Sequence, residues 1–337
     1  MKKSSINKIF VFIASFSIFP SILLSSCVNE RKPKDQSEVT IKLKQKQPLT
    51  TNEIFVENYL NQIQPDKKLA DLYKRTQLTI SNAFYDELKA ALITASPSNI
   101  NVLSKSASEN SLQVTNSINT IKNTLTKNWF WYLWNINQNT YVLNYFNDDY
   151  TDIKGNEETP DNPKNTKSLF DYVQDKYKSY FYNLKNLTFE GIKTFELPNQ
   201  KHDVYTVKTA NYLKLGTDAF IVFFRYTQDN KEEILFSPDV FVKNVENLDL
   251  NTLIDAFNTN YILAYENIIK QMINYYTVLG EENLEDLAYK EHADNVLFSL
   301  YTRNNYASVF NRALDLVNND QLKLLRYRWG DINEIKN

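Results

Sequence analysis

Cysteine, glycine and histidine are scarce in this chain, and each scarcity excludes a class of site. The single cysteine of the 337 residues leaves no partner for a disulfide within the chain. The five glycines lie too far apart for a phosphate-cradling loop or a Gly-x-Ser-x-Gly nucleophile turn. His202 and His292 stand apart, without the close spacing of metal ligands. We therefore predict no catalytic activity, no metal and no cofactor.

Acidic residues leave one catalytic alternative open. Forty aspartates and glutamates could supply a carboxylate pair for glycoside hydrolysis, but their spacing along the chain identifies no pair. The net charge of -2 gives no reason to expect a nucleic-acid partner, since proteins that bind nucleic acids usually carry a basic face. A surface hydrolase therefore stays a less favoured alternative, and we expect no nucleic-acid partner.

The N-terminus has the three parts of a bacterial lipoprotein signal. Lysines precede an apolar run over residues 9–24, which ends in small residues and the only cysteine. We interpret Leu24, Ser25 and Ser26 as the recognition sequence of a signal peptidase and Cys27 as the lipidated residue. A membrane helix is disfavoured because about 16 residues, interrupted by serines and a proline, fall short of the roughly 18–20 that a bilayer requires.

These features predict three regions. Residues 1–26 are the signal peptide, and residues 27–49 are the lipidated cysteine followed by a polar, disordered tether. Residues 50–337 form a mainly helical extracellular body. Diacylglycerol on Cys27 together with a further acyl chain such as palmitate gives stable anchoring. The predicted location is the cell membrane, with the chain lipid-anchored on the extracellular face.

The apolar pattern of the body predicts a mainly α fold with a small antiparallel β-sheet (α+β), carried on the tether. Thr50 to Glu53 has capping-box spacing, and the longest helical stripe runs from Leu253 to Leu279. Short β-rich segments occur around residues 200–237, which is where we place the sheet. The continuous apolar run 220–224 indicates a strand covered on both faces by helices. Residues 322–329 are expected to pack against the body or fray.

The most distinctive internal feature is the aromatic run at residues 129–134. Its aromatic members are Trp129, Phe130, Trp131, Tyr132 and Trp134. Consecutive large side chains point to every face of a helix, so a central, buried helix is the favoured interpretation. An exposed platform that binds sugars or a protein partner is the alternative, and anchoring at a membrane interface is disfavoured because the tether separates the run from lipid.

The lipoprotein signal and the aromatic run together resemble the aromatic-motif membrane proteins of mycoplasmas. Frequent asparagine and lysine agree with this resemblance, because AT-rich genomes favour their codons. The resemblance implies a surface lipoprotein whose first partner is the lipid bilayer, bound through the acylated Cys27. It brings no known activity and no site residues.

Two functions fit these features. The favoured one is a binding or adhesion protein that contacts host protein or glycan. The alternative is a solute-binding lipoprotein that delivers a small molecule to a transporter. Solute-binding lipoproteins usually alternate strands with helices and have glycine-rich hinges, which this sequence lacks. A deep apolar pocket would favour solute capture, whereas a closed core with exposed aromatic side chains would favour adhesion.

Overall fold

A computed structural model gives the structure of the chain from Pro48 onward, within one compact unit that spans Pro48–Asn337. The residues that it describes are 48–95, 111–144, 181–197, 205–228, 231–285, 287–288, 309–318 and 321–333. The predicted signal peptide and most of the predicted tether lie outside these ranges. None of the described helices combines the length and the apolar character needed to cross a membrane.

Seven α-helices and seven strands make up the described part of the chain. The helices are α1 (Thr51–Ile63), α2 (Lys67–Leu78), α3 (Asn82–Thr94), α4 (Ser111–Lys127), α5 (Trp129–Trp134), α6 (Leu250–Leu279) and α7 (Val309–Val317). The strands are β1 (Asn139–Leu143), β2 (Phe181–Asn183), β3 (Phe189–Glu196), β4 (Tyr205–Leu215), β5 (Ala219–Gln228), β6 (Lys231–Lys243) and β7 (Leu324–Ile332). A short 3₁₀ helix, Ile136–Gln138, joins α5 to β1.

The predicted helix ends are confirmed where local chemistry sets them. Thr50 caps α1, and Glu53 completes the capping box by accepting the backbone N–H of Thr50 at 2.7 Å. The long stripe forms α6, which Asp249 caps at its start. Gly280 ends α6 in the left-handed conformation (φ 73°), which glycine adopts without steric cost.

The predicted small sheet is wrong. All seven strands form one antiparallel sheet in the order β2-β1-β7-β6-β5-β4-β3. The three strands near residues 200–237 are joined by β3 on one side, and by β7, β1 and β2 on the other. The periodicity of short segments could not show this, because β7 comes from the end of the chain and pairs with strands far away in sequence. The body is therefore an α+β structure built on a large central sheet.

Helices cover both faces of the sheet, as the apolar run in β5 predicted. Phe223 of β5 contacts Tyr59 of α1, with ring centroids 5.8 Å apart. The next residue, Phe224, faces the opposite way and contacts Tyr261 of α6 at 5.6 Å. Alternate side chains of β5 thus pack against helices on opposite faces of the sheet, which explains why its apolar run is continuous. Helices α1 to α5 form one outer layer, and α6 with α7 forms the other.

The pairing of β1 with β7 contains a bulge at Gly330. The register shifts between Thr140 and Tyr141, so Gly330 has no partner on β1. A Cβ at this position would overlap Cγ2 of Val142. Gly330→Ala is therefore expected to reduce the free energy of unfolding by about 1–3 kcal/mol, as overpacking of a core does.

Urea unfolding of a double-mutant cycle tests this contact. Val142→Ala removes the overlapping methyl groups, so Gly330→Ala should cost much less in that background than in the parent. Equal losses in the two backgrounds would show that Val142 does not restrict this position.

Candidate ligand groove beside the aromatic run

The aromatic run lies in the core. Helix α5 has only six residues, yet five of them are buried. Trp129 is 5% exposed and Trp131 is 4% exposed, while Phe130 and Tyr132 are fully buried. The favoured interpretation, a central helix with aromatic packing, is the arrangement that the structure has.

Trp129 joins the outer helices to the sheet. Its ring lies 5.9 Å from Tyr59 of α1 and 5.9 Å from Tyr73 of α2, measured between ring centroids. On the sheet side it stacks on Phe236 of β6 at 6.2 Å. The indole therefore fills space between three elements, and no sequence periodicity identifies those partners.

Tyr132 extends the same packing toward β7 and β1. Its ring lies 4.9 Å from Trp329, and its hydroxyl is 2.8 Å from the hydroxyl of Tyr141. Burial raises the pKa of Tyr141 well above its ordinary value, partly offset by the hydrogen bond with Tyr132. Tyr141 is therefore neutral at physiological pH, and the hydroxyl pair satisfies polar atoms inside an apolar core.

Trp134 is half-buried, and its ring is engaged by other side chains. Phe130 stacks on it at 5.3 Å with an interplanar angle of 22°. Lys74 of α2 places its Nζ 5.7 Å from the ring centroid, and the same ammonium pairs with Glu57 of α1. The aromatic run consequently does not form the exposed stacking platform considered from the sequence.

A solvent-open groove of about 740 Å³ lies next to the run. We call it the α1–α3–α5 groove, because its walls come from the first turns of α1 and α3, from α5 and from the 3₁₀ helix that follows. The lining residues that bear on its chemistry are Glu53, Asn82, Tyr85, Asp86, Trp131, Trp134, Asn137 and Gln138. Its volume is within the range of roughly 300–1,000 Å³ typical of small-molecule sites.

The groove is polar and carries no positive charge. Glu53 and Asp86 are its only charged lining residues among those that the structure describes. Glu53 is held by the capping box of α1, whereas Asp86 and Asn82 are exposed. Asn137 places its Oδ1 in a buried position where no hydrogen-bond donor reaches it. The groove therefore offers amide groups and one exposed carboxylate to a ligand.

A second polar cluster, missed by the sequence analysis, lies within the sheet. Asp239 of β6 is fully buried, and Arg326 and Arg328 of β7 are buried beside it. Its Oδ2 accepts from Nη2 of Arg326 at 2.5 Å, and its Oδ1 accepts from Nε of Arg328 at 3.0 Å. The alternation of arginines with apolar residues in β7 could have predicted a strand. It could not have predicted that the arginine side chains are buried.

The electrostatics of this cluster suit a structural role. Burial by itself would raise the pKa of Asp239, but the two guanidinium groups more than compensate, so the pKa of Asp239 is lowered. Arg326 also donates to Asn311 of α7 and lies over the ring of Phe310 at 5.8 Å. The cluster thus ties β6, β7 and α7 together. In the described part of the chain, no group of acidic, histidine or cysteine side chains could hold a metal ion.

Comparison with known proteins identifies the family. Neither the curated proteins nor the solved structures contain a match to the chain. A family model described as aromatic cluster surface protein matches residues 30–306, which include the aromatic run. This supports the resemblance to an aromatic-motif surface family, and the family's description places the protein at the cell surface. The chain belongs to the family of aromatic cluster surface proteins.

Proposed function

We propose that the protein is a lipid-anchored binding protein of the cell surface that contacts host protein or glycan and has no catalytic activity. The observation that carries the proposal is the α1–α3–α5 groove, which presents exposed polar side chains on rigid elements of a surface protein. Preformed concave sites with a few well-placed polar groups are typical of ligand binding.

The character of the groove favours binding over the two alternatives. Solute-binding lipoproteins enclose their ligand, whereas this groove is open and lined by polar side chains. A hydrolase of the glycosidase type needs two carboxylates free to act. Of the two carboxylates in the groove, Glu53 accepts a hydrogen bond from the backbone N–H of Thr50 and is held at the α1 cap. In the described part of the chain, Asp86 is the one other carboxylate that lines the groove. These features support adhesion or host interaction.

The anchoring part of the proposal rests on Leu24, Ser25, Ser26 and Cys27. Only a thiol at position 27 can take the diacylglyceryl group, and two or more acyl chains give the stable attachment that one chain does not. The mature chain would then start at Cys27 and remain on the extracellular face of the membrane.

Cys27→Ser is expected to abolish lipid labelling and to leave unprocessed precursor or released protein. The measurement is incorporation of labelled palmitate together with partition into detergent. Ser26→Ala is the matched control, because it keeps a small residue before the cysteine and should be processed and labelled like the parent. A processed Cys27→Ser chain that still partitions into detergent would contradict lipid anchoring.

Binding to host cells tests the functional part. The full chain, solubilised in detergent and reconstituted in liposomes, should bind host cells saturably and more strongly than liposomes without it. Treating the cells with protease or with glycosidases distinguishes a protein partner from a glycan. Binding no stronger than that of empty liposomes would refute the proposal.

A further inference from the structure

We propose that the α1–α3–α5 groove binds a short, uncharged oligosaccharide. This inference rests on the proposed binding function and specifies its site and its ligand class. Three properties of the groove support it: the sign of its charge, the hydrogen-bonding groups in its walls and the rigidity of its aromatic side.

The charge of the groove excludes anionic ligands. Its charged lining residues in the described part of the chain, Glu53 and Asp86, are both negative, and no lysine or arginine lines it. A phosphate, sulfate or sialic acid carboxylate would meet these two carboxylates. The ammonium groups of Lys74 and Lys89, which lie over the rings of Trp134 and Tyr85, already pair with Glu57 and Asp331. Like-charge juxtaposition acts against binding and gives specificity for other ligands. The ligand is therefore neutral or positive.

The hydrogen-bonding groups favour a neutral, hydroxyl-rich ligand. Asn82, Asn137 and Gln138 carry carboxamides, each of which has both donors and acceptors. Sugar hydroxyl groups also donate and accept, so neighbouring hydroxyls match such amides. A positive ligand would find Asp86 exposed, whereas Glu53 already accepts the backbone N–H of Thr50 at the α1 cap.

The aromatic side of the groove is held in place by the core. Trp131 contacts Phe84 of α3 edge-on, with ring centroids 5.6 Å apart and an interplanar angle of 87°. Trp134 is fixed by its stacking on Phe130. Trp131 is only 4% exposed, so these indoles hold the wall of the groove in place rather than stack on the ligand. A site on rigid, packed elements loses less entropy when it binds. The packed aromatic run thus fixes the position of one wall of the groove.

The test measures binding of the full chain in detergent to immobilised oligosaccharides. The probes are lactose, N-acetyllactosamine and chitobiose as neutral sugars, 3′-sialyllactose as an anionic sugar and a tri-lysine peptide as a cation. At least one neutral sugar should bind in preference to the other two probes. The double variant Asn82→Ala, Asn137→Ala should weaken that binding at least tenfold.

Two further variants make the result specific to the groove. Asn274→Ala changes an exposed amide in the cleft between α6 and α7, and it should bind as the parent does. Asp86→Asn tests the competing ligand class, because it would abolish binding of the tri-lysine peptide if a cation were the true ligand. A thermal melt of each variant, followed by circular dichroism, establishes that it is folded like the parent.

The outcomes separate this inference from the proposed function. If the chain binds host cells but no neutral sugar, or prefers the sialylated or lysine probe, the oligosaccharide site is refuted while the binding function stands. The same holds if the double variant binds sugar as tightly as the parent. If the chain binds neither cells nor any probe, both proposals fail.

Discussion

Trp129→Ala is expected to lower the free energy of unfolding by about 3–5 kcal/mol, as truncation of a buried tryptophan does. The reason is the position of the indole between α1, α2 and β6, where it touches Tyr59, Tyr73 and Phe236. Removing it leaves a cavity that three separate elements border. Since domains are stable by only about 5–15 kcal/mol, the loss would be a large share of the total.

Urea unfolding followed by circular dichroism measures this loss. Trp134→Ala is the matched control, because Trp134 belongs to the same helix but is only half-buried. It should cost clearly less than Trp129→Ala, with the lost stacking on Phe130 as its main component. Equal effects of the two substitutions, or a Trp129→Ala protein that unfolds like the parent, would contradict the central position of α5.

Asp239→Asn is expected to cost about 3–5 kcal/mol, the usual effect of removing one partner from a buried ion pair. The substitution keeps the shape of the side chain but removes the charge that faces Arg326 and Arg328. Both guanidinium groups would stay buried without that charge. Asp218→Asn is the control, because Asp218 is itself exposed where it pairs with Lys243, and pairs of exposed side chains contribute only about 0–1 kcal/mol.

The same residue predicts a dependence of stability on acid. The pKa of Asp239 is lower in the folded chain than in the unfolded chain, so the unfolded chain binds more protons in that range. The stabilisation is present above the unfolded pKa of about 3.9. It is lost progressively as the pH falls below that value toward the folded pKa. The parent should therefore lose more stability than Asp239→Asn between pH 5 and acid conditions, in urea titrations at each pH. Parallel pH profiles would contradict this role.

The helices could be predicted because their signals are local. The capping box at Thr50 and the stripe that ends at Gly280 depend on residues within a few turns of one another. The sheet could not be predicted in the same way. Strand β7 is inserted between β1 and β6, whereas residues 322–329 were expected only to pack against the body or fray. Only the pairing with Asp239, 87 residues away from Arg326, makes the burial of the β7 arginines stable.

The groove was harder to predict than the aromatic run. Tryptophan is rare in this chain, so three tryptophans within six residues drew attention at once. Asparagine is common, so nothing in the sequence distinguishes Asn82 or Asn137 from the other asparagines. Their relevance comes from the meeting of α3 with the 3₁₀ helix, which is a property of the folded chain.

The sequence by itself determined the helical caps, the presence of an aromatic surface-protein motif and the double-sided burial of β5, because each depends on side chains close together along the chain. Tertiary structure alone decided the size of the sheet, the packing partners of Trp129 and the position of the groove. Each of these depends on contacts between segments that are distant in sequence. The free energy of such a contact depends on which side chains pack together in the folded chain.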